Sequence, residues 1–440
     1  MSKMKKLKEI GVAVLGYGTV GAGVVETLLK NGDLLAERLG FRMVLKGVAD
    51  VDVTTDRGVA LDPSLLTTDG SALLSREDVD VVVELIGGTG VAKTFILQAL
   101  EKGKPVVTAN KKLLAEYGGE LHRVADEHHT EILFEAAVGG GIPIIKALRE
   151  GLCANHIESI YGILNGTCNY ILTRMEEEKL PFEEVLLAAQ NAGYAEAEPS
   201  LDIDGYDTAH KAAVLASLAY GQPIPLEKVT VRGIRGMSSL DIDYASEMEY
   251  RIKLLAILRG GADDIEVSVQ PTLVAHNHPL AAVSGVFNAV QVQGDIVGTT
   301  LYYGRGAGRA ATASAVVADM ADAGLNLLAG GRRRDLSGVS AAKILPLREP
   351  GAVVARYYLR FSMLDHPGVL ARVASVLGGH GIGIDSVIQK ERAENMAYVP
   401  VIMVTDQAKE KDIADALRDI ADMQNVTDQE TVRYRIEDFK

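Results

Sequence analysis

Tryptophan is absent from this 440-residue chain, and cysteine occurs only at Cys153 and Cys168. Two cysteines without metal-ligand spacing exclude a disulfide framework, leave at most one bridge, and fit a reducing cytoplasm. Positive charge is also scarce, because 45 Lys and Arg face 59 Asp and Glu, giving a net charge of −14. Such a chain is repelled by nucleic acid and anionic lipid, so we expect no nucleic-acid or membrane partner.

Long apolar runs are missing as well. Lysines in MSKMKKLKEI precede the segment IGVAVLGYGTVGAGVV, which superficially resembles a signal peptide. That segment is broken by glycines, and no later segment approaches the roughly 18 uninterrupted apolar residues of a membrane span. The sequence therefore predicts a cytoplasmic protein.

What the chain does contain is a repeated alternation of strand-like and helix-like segments, the pattern of βαβ units in an α/β fold. The segment TVGAGVVETLLKNG predicts a first helix that ends at Gly32. The predicted strands of a Rossmann-type parallel sheet are 10–16, 43–50, 79–88, 104–110 and 130–140. We expect this sheet to form a dinucleotide-binding domain over residues 1–148.

The remaining chain predicts further units. Residues 149–302 mix longer helices with strands and indicate an α+β substrate and dimerisation domain. Residues 303–330 open a helix after a glycine cluster, and we interpret them as a return segment that completes the first domain. Residues 331–352, with Arg332, Arg333 and Arg334 on a solvated face, are typical of a linker. Residues 353–440 give a compact βαββαβ module.

A glycine-rich turn follows the first strand. Gly16, Gly18 and Gly21 form G-x-G-x-x-G between a strand and a helix, the context in which this motif binds a dinucleotide. The glycines permit a tight turn, close approach of a pyrophosphate and close helix packing, and the helix N-terminus supplies the positive end. We expect Tyr17, Thr19 and Val20 to line the same loop.

The second strand carries the residues that select the cofactor. Asp50 ends this strand and favours a free ribose 2′-hydroxyl, whereas the nearby Arg57 is suited to a 2′-phosphate. The choice between NAD and NADP stays open.

The segment NAGYAEAEPSLDIDGYDTAHK (191–211) is rich in acids, and its members are Glu196, Glu198, Asp202, Asp204 and Asp207. In the simpler interpretation, Asp204 is the N-cap of a helix, Asp207 occupies its N3 position, and Asp207 forms a surface ion pair with Lys211 at i+4. In the second interpretation, the acids receive the ammonium of an amino acid. Lys211 then donates a proton to a carbonyl oxygen as hydride arrives from a nicotinamide, with Lys111 as a second ammonium nearby.

Five motifs together resemble the homoserine dehydrogenase family: the glycine loop, VVTANK (106–111), NGTCNYILTRM (165–175), the acidic segment from Gly193 to Lys211, and YGRGAG (303–308). The segment LDHPGVLARVASVLGGHGIGIDSV (364–387) resembles an ACT domain, a small-molecule sensing module. The resemblance implies NAD(P)-dependent interconversion of L-homoserine and L-aspartate 4-semialdehyde in threonine, methionine and isoleucine biosynthesis. It also implies a homodimer or homotetramer and L-threonine as the effector.

The resemblance assigns roles to individual residues. Lys211 becomes the proton donor, Glu196 and Asp207 contact the substrate, and Lys111 lies between cofactor and substrate. By the same resemblance Tyr194, Thr167 and Asp202 shape the pocket, and Gly306 and Gly308 return to the nicotinamide side. A monovalent cation, sodium or potassium, is implied at Glu135 with the carbonyls of Val138, Gly140 and Ile142.

Two other functions remain open at this point. A cysteine-dependent semialdehyde dehydrogenase would use Cys168 as nucleophile, although no cysteine–histidine pair stands out in the sequence. A non-catalytic amino-acid sensor would depend on the C-terminal module alone, with a degenerate dinucleotide domain.

Overall fold

The computed structural model describes residues 7–331, 344–389 and 397–439. The predicted arginine-rich linker face at Arg332, Arg333 and Arg334 lies outside these ranges. The strands are β1 (Lys8–Leu15), β2 (Phe41–Ala49), β3 (Leu66–Thr67), β4 (Val81–Glu84), β5 (Val106–Thr108), β6 (Ile132–Leu133), β7 (Ile157–Ile163), β8 (Thr230–Val231), β9 (Tyr250–Gly260), β10 (Ile265–Ala275), β11 (Phe287–Gly294), β12 (Gly298–Arg305), β13 (Val354–Leu364), β14 (Ile384–Gln389), β15 (Tyr398–Thr405), β16 (Ala408–Lys409) and β17 (Val432–Glu437).

The helices are α1 (Thr19–Leu39), α2 (Gly70–Leu74), α3 (Val91–Glu101), α4 (Lys111–Glu127), α5 (Ile144–Lys146), α6 (Gly166–Glu178), α7 (Phe182–Asn191), α8 (Ser200–Ile203), α9 (Tyr206–Tyr220), α10 (Ser239–Glu247), α11 (Arg309–Leu328), α12 (Val369–Gly379) and α13 (Glu410–Ala421). Across the described ranges, no helix combines the length and the apolarity that a bilayer crossing needs.

The chain forms two compact units. The first groups the described residues of Met1–Gly166, Asp207–Val229 and Val286–Ile344, and the second groups those of Thr167–Tyr206, Thr230–Gly285 and Leu345–Lys440.

The first unit contains a six-stranded parallel sheet in the order β3-β2-β1-β4-β5-β6, which confirms the predicted Rossmann-type fold. Its core joins β1, α1 and α11 through side chains such as Val14, Val24, Val316 and Met320. Helix α11 thus packs on the sheet although it follows the sheet strands by more than 150 residues. The same unit holds an antiparallel set in which β11 pairs with both β7 and β12.

Several predicted elements of this unit end elsewhere than expected, and the strands expected over 79–88 and 104–110 are confined to β4 and β5. Helix α1 continues through Gly32 to Leu39 and stops at Gly40, whose φ of 76° is left-handed. A glycine inside a helix costs only about 1 kcal/mol, and the segment LLAERL restores helix formers, so the helix continues. The strand expected over 130–140 is confined to β6 and gives way to a 3₁₀ turn at Glu135–Ala137. Here the Glu135 backbone N–H donates to the Asp319 carboxylate at 2.7 Å instead of to a neighbouring strand.

The second unit contains a mixed sheet with the strand order β9-β10-β17-β13-β15-β14. The module β13-α12-β14-β15-α13-β17 has the predicted βαββαβ order, with the two-residue strand β16 added before α13. Its core lies between the sheet and the two helices and includes Phe361, Val373 and Ile413. Strand β17 runs parallel to β10 and pairs Thr272 with Arg435, so the module shares one sheet with β9 and β10.

Candidate active site

The helix that carries Lys211 begins differently from the prediction. Asp204 is the C-cap that follows helix α8, and Gly205, with a φ of 90°, separates it from Tyr206, the first residue of α9. The Asp204 carboxylate accepts two hydrogen bonds from Arg235, at 2.7 and 2.8 Å. The predicted N-cap role of Asp204 is therefore wrong, because its side chain is engaged in an ion pair, and Asp207 lies in the first turn of α9.

Asp207 and Lys211 form an ion pair one turn apart on α9, as their spacing predicted. Lys211 Nζ lies 2.6 Å from Asp207 Oδ2, but the two side chains are only 11% and 6% exposed. The interpretation of a surface ion pair is thus wrong. Taking both charges out of water is expensive, and the pair persists only because further polar groups surround it.

Two of these groups come from the segment after β7. Lys211 Nζ also donates to the Leu164 carbonyl at 2.7 Å, and the Asn165 amide donates to Asp207 Oδ2 at 2.9 Å. The lysine amine is therefore held by a carboxylate on its own helix and a carbonyl from a different element.

Lys111 brings a second ammonium to the same carboxylate. It is the first residue of α4, directly after β5, and the Asn110 side chain caps this helix by accepting from Leu113 N–H. Lys111 Nζ lies 3.1 Å from Asp207 Oδ1. Burial by itself raises the pKa of Asp207, but the charges of Lys211 and Lys111 outweigh it and hold that pKa well below its ordinary value. The carboxylate is thus ionised between two lysines.

The remaining predicted substrate residues lie in the second unit, around the first turns of α6. Thr167 Oγ1 donates to the Tyr194 carbonyl at 2.6 Å, and Cys168 Sγ contacts the Asp202 carbonyl at 3.2 Å. Tyr194 is 46% exposed and packs on the ring of Tyr170. Glu196 is exposed, and its carbonyl accepts from Gln190. Hydrogen bonds therefore link the start of α6 to the backbones of Tyr194 and Asp202, and the substrate role of these residues stays a prediction.

The glycine loop has the geometry that its motif requires. Gly16 adopts a φ of 99°, and a Cβ there would lie 2.6 Å from the Leu85 backbone. A Cβ on Gly21 would lie 2.0 Å from the Gly16 carbonyl, whereas a Cβ on Gly18 would meet nothing within 4 Å. Gly16 and Gly21 thus serve internal packing, and the backbone at Gly18, with Thr19 and Val20 opening α1, faces open space suited to a pyrophosphate.

Asp50 and Arg57, the residues predicted to contact the cofactor ribose, each form a hydrogen bond or ion pair with a neighbouring residue. Asp50 Oδ2 accepts the Tyr17 N–H at 2.5 Å, which places the carboxylate beside the glycine loop. Arg57 pairs with Asp52 at 2.9 Å, so a 2′-phosphate would have to share this guanidinium with a carboxylate.

The loop predicted to bind a monovalent cation, residues 135–142, is held by hydrogen bonds and by close backbone contacts. The two Glu135 carboxylate oxygens accept the N–H groups of Ile145 and Lys146 at 2.9 and 2.8 Å, and burial raises the pKa of Glu135. Gly140 has a φ of 55°, and a Cβ there would lie 2.4 Å from the Gly306 carbonyl. The loop that ends at Gly308, where α11 begins, therefore rests on the cation loop.

A metal site built from side chains alone is not present in the described ranges, since no three His, Cys, Asp or Glu residues cluster there. A cation would depend on Glu135 and on the carbonyls of Val138, Gly140 and Ile142. Carboxylate and carbonyl oxygens each have a second lone pair besides the one used in a hydrogen bond, so these donor types suit a monovalent cation.

Comparisons with known proteins identify the family of this chain. The family model described as homoserine dehydrogenase matches residues 143–321, its NAD binding domain matches residues 16–135, and the ACT domain matches residues 357–422. A homoserine dehydrogenase of Neisseria gonorrhoeae is 44% identical over 93% of this chain and 95% of that protein, and one of Pseudomonas aeruginosa is 42% identical over 98% and 99%. The chain belongs to the homoserine dehydrogenase family.

Solved structures of homoserine dehydrogenases show the same fold. One from Thiobacillus denitrificans is 41% identical and superposes with a TM-score of 0.93, covering 99% of this chain and 100% of that chain. A hyperthermophilic archaeal homoserine dehydrogenase in complex with NADPH is 27% identical, with a TM-score of 0.62, covering 72% and 98%. The chain is thus an oxidoreductase with a nicotinamide-binding domain and an ACT domain.

Membership in the homoserine dehydrogenase family sets aside both alternative functions. The non-catalytic sensor is wrong, because the family is enzymatic across the full length of the chain. Cys168 is fully buried, which does not suit an exposed nucleophile.

Three residues near Asp207 escaped the sequence analysis. Asn165 and the carbonyl of Leu164 were overlooked, although Asn165 opens the quoted NGTCNY motif. His210, next to Lys211, is 4% exposed, and burial lowers its pKa, which keeps its ring neutral. Its Nδ1 has no hydrogen-bond partner among the described residues. No periodicity signals such contacts, because they join distant segments.

Proposed function

We propose that this enzyme interconverts L-homoserine and L-aspartate 4-semialdehyde with NAD or NADP, and that Lys211 is the proton donor. The observation that carries the proposal is the buried arrangement in which Asp207 contacts both Lys211 and Lys111. In a homoserine dehydrogenase, hydride leaves or reaches C4 while a proton leaves or reaches the oxygen bonded to C4.

The nicotinamide, when bound, supplies or accepts the hydride. As the semialdehyde carbonyl is reduced, negative charge develops on its oxygen, and an amine at Lys211 Nζ donates the required proton. Asp207 and the Leu164 carbonyl aim this amine. In the reverse direction Lys211 accepts the hydroxyl proton of homoserine, and Lys111 keeps a second positive charge beside it.

We propose that acidic side chains bind the ammonium group of the substrate and that neighbouring polar residues shape its pocket. Glu196 and Asp207 bind the ammonium, and Thr167, Tyr194 and Asp202 shape the pocket. Support comes from the exposure of Glu196 and from the hydrogen bond that ties Thr167 to the Tyr194 backbone.

The cofactor is held in the first unit. The glycine loop holds the pyrophosphate of the cofactor, through Gly16, Tyr17, Gly18, Thr19, Val20 and Gly21. The ribose contacts Asp50 or Arg57. The nicotinamide side of the cofactor contacts Lys111 and Gly308. Asp50 favours NAD, and Arg57 favours NADP. The archaeal relative in complex with NADPH supports a nicotinamide cofactor for this chain.

A sodium or potassium ion at Glu135, Val138, Gly140 and Ile142 would stiffen the loop on which Gly306 rests. The close approach of Gly140 to Gly306 supports this role.

The ACT module is proposed to bind L-threonine, the end product of the pathway to threonine, methionine and isoleucine. The enzyme would work in the cytoplasm as a homodimer or homotetramer. The proposed domains are 1–148 for the cofactor, 149–302 for catalysis and dimerisation, 303–330 as return segment, 331–352 as linker and 353–440 for regulation.

The deciding assay is reduction of NAD and of NADP by L-homoserine, followed by absorbance of the reduced cofactor. We expect turnover with at least one cofactor and its loss on Lys211→Met. Absence of homoserine-dependent reduction with both cofactors, in a folded enzyme, would contradict the proposed reaction.

A further inference from the structure

The carboxylate of Glu84 is completely buried at the end of β4, where Glu84 is 0% exposed. Its Oε1 accepts the backbone N–H groups of Ile86 and Gly87 at 2.8 and 2.9 Å, and its Oε2 accepts the hydroxyl of Thr108 at 2.7 Å. Three groups thus donate to this side chain, which is the arrangement that a negatively charged carboxylate requires. All three donors are neutral, although a buried charge is costly unless a cation lies nearby.

The same hydrogen bonds join the loops that follow β4 and β5. Glu84 and Thr108 are paired residues of these two parallel strands. Thr108 Oγ1 accepts the Asn110 N–H at 3.0 Å, and the Asn110 side-chain amide donates to the Gly88 carbonyl at 2.7 Å. Asn110 also caps α4, whose first residue is Lys111. Glu84 is therefore the fixed centre of both loops, and its charge has one defined position.

These loops lie at the carboxyl edge of the parallel sheet, in the half that is left for the nicotinamide. The strand order β3-β2-β1-β4-β5-β6 reverses direction between β1 and β4, and a dinucleotide crosses the sheet at such a point. The glycine loop after β1 and Asp50 after β2 assign the pyrophosphate and the adenosine ribose to the first half. The nicotinamide is therefore expected over β4, β5 and β6. A Cβ on Gly16 would lie 2.6 Å from the Leu85 backbone, so the glycine loop contacts the residue that follows Glu84.

The two redox forms of a nicotinamide differ in the charge of the ring. The oxidised ring carries one positive charge, and the reduced ring carries none. A fixed negative charge in a buried position of low dielectric constant attracts the first form and not the second. Lys111, in the same half of the sheet, already has Asp207 as its counter-ion. Glu84 has no cationic side chain as a partner in the part of the chain that the structure describes.

We propose that Glu84 raises the affinity of this enzyme for the oxidised cofactor relative to the reduced cofactor. The inference rests on the proposed cofactor site and deepens it, because it assigns a role to a residue outside the predicted contacts. Glu84 acts from behind the loop of Ile86, Gly87 and Gly88 through its charge. An enzyme that holds the oxidised form more tightly favours hydride transfer from the reduced cofactor to the semialdehyde. Glu84 thus shifts the bound reactants toward homoserine.

The test is calorimetric titration of the full-length enzyme with NADP⁺ and NADPH, and with NAD⁺ and NADH, in the absence of substrate. The ratio of the Kd of the oxidised form to that of the reduced form is compared among variants, because a general loss of fit changes both values alike. Glu84→Gln removes the charge and keeps the size of the side chain. We expect it to raise this ratio about fivefold or more.

Two control variants separate the charge at this position from its hydrogen bonds and from buried carboxylates in general. Thr108→Val removes the hydroxyl that donates to Glu84 and leaves the charge in place. Glu131→Gln removes another buried carboxylate, which lies just before β6 at the amino edge of the same sheet. The ratio of Kd values should stay within about twofold of the wild type in both controls.

A second variant covers the case in which Glu84→Gln does not fold. Glu84→Met combined with Thr108→Val replaces both hydrogen-bonding side chains by apolar ones, a change that proteins tolerate better than the loss of one partner. The same rise of about fivefold in the ratio is expected, because the charge is again absent.

The inference is overturned if neither cofactor binds the wild type, if removal of the Glu84 charge leaves the ratio unchanged, or if either control shifts the ratio equally. Homoserine-dependent cofactor reduction by the wild type is measured separately. Its absence would contradict the proposed reaction and leave a shifted ratio of Kd values standing. Normal turnover with an unchanged ratio would overturn only the role of Glu84.

Discussion

Lys111 and Lys211 contact the two oxygens of a single carboxylate. Lys111 Nζ lies 3.1 Å from Oδ1 of Asp207, and Lys211 Nζ lies 2.6 Å from Oδ2. The Lys111 side chain is 35% exposed and that of Lys211 is 11% exposed, so the two amines differ in access to water. A buried amine held by fixed partners is suited to proton transfer, because its position is set before the substrate arrives.

Replacing Lys211 tests the proton donor. We expect Lys211→Met to lower kcat about 10²- to 10⁴-fold, the usual contribution of a general acid or base, while the Kd of the cofactor stays nearly unchanged. Steady-state kinetics and fluorescence titration with NADPH and NADH measure the two effects. Lys112→Met, on the neighbouring exposed lysine, is the control and should retain wild-type turnover. Near-normal kcat in Lys211→Met would remove the assignment.

Replacing Asp207 tests the buried charge cluster. Asp207→Asn leaves two ammonium groups without their carboxylate, and breaking such a buried pair costs about 3–5 kcal/mol. The pKa of Asp207 is lowered in the folded state, so its contribution is complete above the ordinary value of 3.8 and is lost as the pH falls below it. Thermal unfolding of both proteins should therefore show a constant gap near neutral pH that narrows below about pH 4. A gap that widens on acidification would contradict the ion pair.

Substitutions at Gly18 and Gly21, two glycines of the first loop, test cofactor binding and internal packing independently. Gly18→Ala adds a Cβ into open space, so its Tm should match the wild type, while its Kd for NADPH or NADH should rise about tenfold or more if a pyrophosphate lies there. Gly21→Ala places its Cβ 2.0 Å from the Gly16 carbonyl, so it should lower the Tm itself. Differential scanning calorimetry and cofactor titration measure both. Unchanged cofactor affinity in Gly18→Ala would place the pyrophosphate elsewhere.

A buried ion network joins β17 to β10. Arg435 is 2% exposed and contacts Glu266 at 2.5 Å and Glu437 at 2.9 Å. Arg435→Met should lower the free energy of unfolding by about 3–5 kcal/mol, because it leaves buried carboxylates short of a partner. Denaturant unfolding checks this, with the exposed Arg372→Met as control. A change below about 0.5 kcal/mol would mean that the network is dispensable.

A truncation that removes the ACT module would also break this ion network. Removing residues from about 350 onward deletes β17, which pairs with β10, and deprives Glu266 of Arg435. A truncated enzyme could lose activity because the edge of β10 is exposed and the charge of Glu266 lacks its partner Arg435. Point variants of the ACT module therefore test regulation more directly than a truncation does.

Lys253 provides a test at alkaline pH. Its side chain is buried, donates to the Val283 carbonyl at 2.6 Å, and burial lowers its pKa to about 8. Between pH 8 and the ordinary value of 10.5, the unfolded chain binds more protons than the folded one, so stability rises with pH in this window. Relative to Lys253→Met, the wild type should gain up to about 3 kcal/mol from neutral to strongly alkaline pH. Urea unfolding at several pH values measures the difference, and a pH-independent difference would contradict it.

The sequence determined the elements whose signals are local. The G-x-G-x-x-G turn, the parallel βαβ units and the βαββαβ order follow from apolar periodicity and from the few backbone conformations that glycine alone adopts easily. Where the local signal was weak, as at Gly32 and after Leu133, the predicted ends of α1 and β6 were wrong. A mid-helix glycine is tolerated, and a buried carboxylate at Asp319 competed for the Glu135 N–H.

Tertiary structure alone decided the character of the candidate site. The spacing of Asp207 and Lys211 predicted their contact, but the chain places Lys111, Leu164 and Asn165 around it from segments 42 to 96 residues away from Asp207. That enclosure removes water from the carboxylate and changes a weak surface pair into a strongly coupled buried one. The sequence determines which charged groups are present. The strength of the interactions between them depends on the local dielectric constant, which is set only when distant segments pack together.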